Sequence, residues 1–327
     1  MQKALSLSLS PSSKTFITIV KSGFEFTSET LGYEQEYRVL LDKGGIFDQS
    51  HWEKIWLKGK DAVDYLQRMT TVNFKTLAVH GVSLGAFLTG RGHVVALGYF
   101  VRETDGVSIW VGHGQRGICL EHIEKFHFAE SFEVADDPSE SSLWAICSPT
   151  EVTSLNEYVH WKDAKEPKLV WVSVPKDGLS VFWESLVGAG KLELLGQRLF
   201  DFLRISSGFA TLGAEISADE IILETGLDEA VARNKGCYPG QEVVERIYTY
   251  GSVNRKLFCV KLKGDLSQLD ANPLRVEEDG KVLGSLVSWM PHPTQEGVGL
   301  GLMYIQKAFW SKGASTVNGV NLIWQES

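Results

Sequence analysis

Apolar and polar positions along the chain change period several times, and each change predicts an element. Ile55 and Leu57 alternate with charged neighbours as a short strand, Gly59-Lys60 reads as a turn, and Asp61 caps a predicted helix with Ala62, Tyr65, Leu66 and Met69 on one face. Phe87, Val94, Val95, Leu97 and Tyr99, then residues 107–111, read as hairpin strands punctuated by Gly90-Arg91-Gly92 and Asp105-Gly106, with a helix over 118–126 after them. A polar turn at 135–142 and an apolar strand at 143–147 open a second unit, the pattern of a repeated architecture. Residues 181–187 and 192–202 read as helices separated by Gly188-Ala189-Gly190. Residues 206–257 show little regular period, and glycine alternates there with specific polar residues, as in functional segments of compact proteins. Beyond Arg255 the positions Phe258, Val260 and Leu262 alternate, and Asp279-Gly280 and Asn318-Gly319 supply hairpin turns, predicting a small antiparallel barrel. Repeated switching between the two periods predicts an α+β protein.

A chain of 327 residues, 43% hydrophobic, can bury a sizeable core and exceeds one typical domain, so two or three packed units are expected, with a division near 252/253. With 32 basic against 41 acidic residues the formal charge is −9, which gives no general attraction to nucleic acid or to an anionic membrane. Cys119, Cys147, Cys237 and Cys259 lack the paired spacing of a zinc site and are too few to staple the chain, as expected in a reducing compartment. No apolar run approaches the ~18 residues needed to cross a bilayer, and the Ser/Leu alternation at 4–9 is not a continuous apolar signal core. These features predict a cytoplasmic, unexported protein with a loosely held or edge-strand start through about Thr15. Gly297, Gly299 and Gly301 alternate through an apolar strand, which fits close backbone packing better than a nucleotide loop. The ten tryptophans read as core or interface anchors, and the eight histidines stand in no metal-ligand pattern.

The segment with chemical promise is Lys235-Gly236-Cys237-Tyr238-Pro239-Gly240-Gln241-Glu242. Two glycines permit tight turns and close approach, the proline stiffens the loop, and a thiol stands where no packing pattern requires one. Lys235 and Arg246 could favour the thiolate, and Gln241 and Glu242 add hydrogen-bonding groups for a polar ligand edge. The bland alternative is an ordinary buried cysteine.

This octapeptide, continued through Val243-Val244-Glu245-Arg246 and Gly251, resembles the signature of the YgfZ family, folate-binding proteins linked to iron-sulfur cluster maintenance and related to the glycine-cleavage T protein. The order Leu203-Arg204-Ile205-Ser206-Ser207-Gly208, Gly213-Ala214-Glu215-Ile216 and Glu224-Thr225-Gly226-Leu227-Asp228 resembles the superfamily's central segment, and Gly45-Ile46-Phe47-Asp48 with residues 57–71 resembles its amino-terminal unit. The resemblance implies a multi-lobed fold with a carboxy-terminal β-barrel and a central opening for tetrahydrofolate or a one-carbon derivative. It makes Cys237 the reactive thiol, as nucleophile or passing iron ligand, and Lys235, Gly236, Tyr238, Gly240, Gln241, Glu242, Arg246 and Arg255 the candidate folate contacts. The implied partners are iron-sulfur proteins or assembly factors, and beyond them cluster-dependent enzymes such as those that thiolate tRNA. Where the T protein carries an acidic pair, this chain has Val95 and Ala96, and Ser206 replaces a pterin-binding glutamate; aminomethyl transfer by the T-protein route should therefore be absent. A folate-dependent one-carbon transferase acting on a small molecule or a tRNA base, and a non-catalytic scaffold, are the other readings.

Overall fold

The computed structural model describes residues 2–9, 17–21, 24–152, 155–162 and 169–325. The serine-rich start divides: residues 2–9 form β1 (Gln2–Lys3) and the one-turn α1 (Ser6–Leu9), while residues 10–16 lie outside the described residues. With β2 (Ile17–Lys21) and β3 (Phe24–Glu29), β1 makes a small sheet of order β1-β3-β2.

Helix α2 (Tyr33–Asp42) leads into β4 (Gly45–Asp48), every residue of which is buried. Next come β5 (Glu53–Lys58), α3 (Ala62–Met69), β6 (Val82–Leu88), β7 (Val94–Glu103), β8 (Gly106–Val111), α4 (Arg116–Phe126) and β9 (Glu133–Ala135). These strands form an antiparallel sheet of order β6-β7-β8-β5-β9. As expected, α3 buries Ala62, Tyr65 and Leu66, which meet Phe87, Phe100 and Ile109 in a core between this sheet and α3 and α4. Asp61 does not cap α3 through its side chain; it accepts instead from the Ser131 N–H at 2.7 Å, tying the helix start to the 131 turn.

The second unit contains β10 (Ser142–Cys147), β11 (Val159–Lys162), β12 (Val170–Val174), α5 (Leu179–Trp183) and β13 (Glu193–Leu195), followed by α6 (Gln197–Ser206). Its sheet has the order β11-β12-β10-β4-β13, so β4 pairs forward with β10 across the whole first unit and runs parallel to β13. The expected helix over 192–202 is thus a strand followed by a helix. Gly196 marks the break because a Cβ there would stand 2.0 Å from the Ser28 carbonyl oxygen, so only glycine lets the chain turn against β3.

The weakly periodic 206–257 segment contains a further ten-residue helix, α7 (Gln241–Tyr250). Val243, Val244, Ile247 and Tyr248 share one side of it, a short stripe that the sequence reading did not pick out, and Val244 is fully buried. The remaining strands are β14 (Arg255–Lys263), β15 (Leu274–Glu278), β16 (Lys281–Pro291), β17 (Val298–Gln306), β18 (Ala314–Val317) and β19 (Val320–Ile323). They make a nearly closed antiparallel barrel of order β15-β16-β17-β14-β19-β18 around Val260, Leu262, Val276, Leu286 and Met303. Asp279-Gly280 and Asn318-Gly319 turn its hairpins at positive φ, as expected. Gly299 and Gly301 sit where a Cβ would approach carbonyl oxygens of β16 within 2.9 Å, which accounts for that glycine alternation. The largest core joins both sheets, α6 and the barrel through Trp171, Phe200, Leu203, Phe209, Leu302 and Tyr304.

Candidate functional site

Between these units lies a cavity of ≈ 360 Å³. Its walls come from β6 and β7 (Leu84, Leu97, Gly98), β12 (Trp171), one face of α6 (Gln197, Phe200, Asp201, Arg204), Trp52, and the 209–214 segment. The i, i+3/i+4 spacing of Gln197, Phe200, Asp201 and Arg204 puts those four side chains on one stripe of α6. Flat rings form part of the walls: Trp52 meets Trp171 at 5.3 Å, and behind the lining Tyr99 lies 5.9 Å from Trp52 and stacks on Phe209 at 6.4 Å. Aromatic walls with a few polar groups are the usual make-up of a site for a heterocyclic ligand.

Those polar groups converge from separate segments. Arg204 donates through Nε to Asp201 at 3.0 Å and through Nη1 to Glu215 at 2.9 Å. Burial works against the guanidinium charge, but the Glu215 and Asp201 carboxylates outweigh it and hold its pKa above the ordinary arginine value. Glu215 also accepts from the Thr211 N–H at 2.9 Å and the Ser288 hydroxyl, so one carboxylate joins α6, the 211 loop and the barrel. Gln49 bonds the Gln197 side chain at 3.0 Å, and His51 and His113 stack edge-on against Phe26 and Phe24. On the far side of β7, Val95 and Ala96 face the α3/α4 core, while Leu97 and Gly98 border the cavity. Among the described residues Asp201 is the one carboxylate on the cavity lining, and Arg204 holds it.

The cysteine segment forms a second centre. Cys237 is exposed. The residues around it are fixed at both ends. Lys235 is buried, with its amino group donating to the carbonyls of Gln67 (2.7 Å) and Thr70 at the end of α3, and lying 5.0 Å from the centre of the Tyr238 ring. Gln67 answers by donating to the Lys235 carbonyl at 2.6 Å and accepting from the Phe74 N–H at 2.7 Å. Lys235 is thereby a clamp on α3 rather than a charge turned toward the thiol, and burial pushes its pKa down to about 7. At the other end Gly240 has φ 83°, and a Cβ would come within 2.7 Å of the Thr89 carbonyl oxygen, so the segment rests against the 89–92 turn. Tyr238 is buried with its hydroxyl lacking a hydrogen-bond partner, and burial first, then Glu245 and Tyr248, push its pKa up to about 12.

Gln241 and Glu242 open α7, and Arg246 is exposed on its next turn. Arg255 begins β14, where it pairs with Glu220 at 3.1 Å and Glu224 at 3.2 Å and lies over the Tyr304 ring at 5.0 Å. The structure therefore gathers Lys235, Gly236, Cys237, Tyr238, Gly240, Gln241, Glu242 and Arg246 into one clamped loop and helix start, holds Arg255 apart in an acidic pair, and puts none of the nine on the cavity lining. Gln49, Gln115, Trp171 and Asp201 were not singled out in the sequence. The spacing of Asp201 and Arg204 was a legible signal; the others come from distant segments with no shared motif. Among the described residues no cluster of three or more His, Cys, Asp or Glu could hold a metal ion, and no helix is long and apolar enough to cross a membrane.

The fold is similar to that of a solved structure, the glycine cleavage system aminomethyltransferase T from Bartonella henselae, with a TM-score of 0.78 over 95% of this chain and 93% of that one at 18% identity. This defines the fold class. Residues 21–176 match the family model of the GCVT N-terminal domain. Among curated relatives, an Arabidopsis thaliana protein described as a chloroplastic "putative transferase" is 24% identical over 90% of this chain and 73% of its own length. The aminomethyltransferase of Rubrobacter xylanophilus is 26% identical over 87% of this chain and 82% of its own.

Proposed function

We propose that this protein binds a reduced folate in the central cavity and supports the assembly or repair of iron-sulfur clusters, acting in the cytoplasm as a member of the YgfZ branch. The observation that carries the reading is the aromatic-walled cavity in a chain of GCVT fold, paired with an exposed, clamped thiol outside that cavity. Flat walls at Trp52, Trp171 and Phe209 suit a pterin and a benzoyl ring. An exposed thiol away from the cavity suits a role toward a protein client, as a passing iron ligand, more than attack on a folate-borne carbon. Enzymes that need clusters, such as those that thiolate tRNA, are the clients this reading implies.

A second reading, a folate-dependent one-carbon transferase, is favoured by the names of the curated relatives. The cavity side of β7 offers Leu97 and Gly98, which can neither take nor give a proton, and Asp201 is tied to Arg204. Calorimetric titration with tetrahydrofolate under reducing conditions tests the ligand: saturable binding weakened by Trp171→Ala is expected, and a flat titration overturns it. Cells carrying Cys237→Ser should lose cluster-enzyme activity while the purified variant still binds folate; unchanged activity would leave a scaffold, and turnover of a folate adduct would establish the transferase.

A further inference from the structure

Two side-chain amide oxygens of the cavity lining stand without a hydrogen-bond donor. Gln49 is fully buried, and its Nε2 donates to the Asp48 carbonyl at 3.2 Å and to Gln197 Oε1 at 3.0 Å. Both amide protons are used, which fixes the orientation of the amide and leaves Oε1 facing no protein donor. Gln115, beside the first turn of α4, likewise has an Oε1 without a hydrogen bond. Buried acceptors without donors are uncommon in native proteins, and a ligand that brings N–H groups satisfies them.

Among the described residues no lysine lines the cavity, and its arginine is already paired. Arg204 is the one arginine or lysine on the described lining, and its guanidinium is held by Asp201, Glu215 and the Phe209 carbonyl. The remaining chemistry is aromatic. At ≈ 360 Å³ the cavity sits near the lower end of the roughly 300–1,000 Å³ usual for small-molecule sites, a size for a pterin and its attached ring. A glutamate tail carries two carboxylates, which stay in water unless a cation receives them.

On the folate reading above, we infer that the cavity recognises the N–H-bearing edge of a reduced pterin through the neutral acceptors of Gln49 and Gln115 and gives no weight to the glutamate tail. Tetrahydropteroate, tetrahydrofolate and its pentaglutamate are then equivalent ligands of the full-length protein.

Anaerobic calorimetry with those three compounds tests this on the native protein, Gln49→Leu and Gln115→Leu. Dissociation constants within threefold of one another are expected for the native protein, with each variant weakening all three by tenfold or more. Gln115 is only half-buried, so its variant carries the test should Gln49→Leu fail to fold. A pentaglutamate bound more than tenfold tighter than tetrahydropteroate overturns the tail-independence while leaving the folate reading in place. A Gln115→Leu protein that melts normally and binds all three like the native chain overturns the acceptor role. Flat titrations for all three with folded native protein remove the folate reading itself, and this inference with it.

Discussion

Replacing Glu215 is the sharpest perturbation of the framework that shapes the cavity. Its carboxylate is fully buried and accepts from Arg204, from the Thr211 N–H and hydroxyl, and from Ser288 on the barrel strand β16, while Tyr304 donates to its main-chain carbonyl at 3.2 Å. Glu215→Ala leaves a buried guanidinium with Asp201 and the Phe209 carbonyl as its partners and strands three further donors. Truncating one partner of a buried ion pair costs about 3–5 kcal/mol. Glu215→Gln keeps the shape and one acceptor oxygen, so its cost is that of a charge-assisted hydrogen bond, about 1.5–3 kcal/mol. Neither figure needs a discount for solvent screening, because the Arg204 side chain is itself only 12% exposed. Urea unfolding followed by tryptophan fluorescence reads the loss directly: with a slope of about 3 kcal/mol per molar, the alanine variant should unfold on the order of 1 M earlier. Because the carboxylate joins α6 to the barrel, ligand affinity should fall together with stability. An alanine variant within about 1 kcal/mol of the native protein would refute the argument that this carboxylate holds the units together.

Other outcomes follow from groups already described. Burial holds the Lys235 pKa at about 7, below its ordinary 10.5, so the unfolded chain binds the extra proton between those values and stability should rise with pH across that window; Lys235→Met should flatten the slope in urea melts run from pH 7 to 10. Burial pushes the Cys119 thiol up to about 12, while Cys237 and Cys259 are exposed, so brief iodoacetamide treatment of native protein should modify the latter two and spare Cys119, as read by peptide mass spectrometry. Gly240→Ala would drive a Cβ against the Thr89 carbonyl at a left-handed φ and should cost about 1–3 kcal/mol in the same unfolding assay. Equal stability would mean that the 89–92 turn yields freely.

The parts of the fold legible in sequence are those whose signal is local. The β7–β8 and β18–β19 turns announce themselves through Asp105-Gly106 and Asn318-Gly319, and the alternation in β14 survives intact in its burial. Residues 192–202 misled because Leu192, Leu194, Leu195 and Leu199 suit either period; only the approach of the Ser28 carbonyl to Gly196, set by a strand over 160 residues away, decides where strand yields to helix. Helix α7, which packs on the body through Val244, Ile247 and Tyr248, stayed hidden because it sits inside a glycine-rich stretch with little regular period around it. Within the site, the exposure of Cys237 was readable from its glycine-rich setting, whereas the cavity was not. Its lining is drawn from residues 26 to 214, and nothing in the order of the chain announces that Gln49 will meet Gln197.

The pairing of β4 with β10 bears on how the chain acquires its shape as it leaves the ribosome. Ile46 finds its partner in Ile146, and its parallel neighbour in Leu194, so the entire first sheet is synthesised inside an open bracket. That inner unit can condense on its own while β4 waits, an unpaired apolar strand, for one hundred residues to be made. The central cavity follows, since α6 closes it only after both sheets stand, and the waiting strand is where arrested or truncated chains should aggregate.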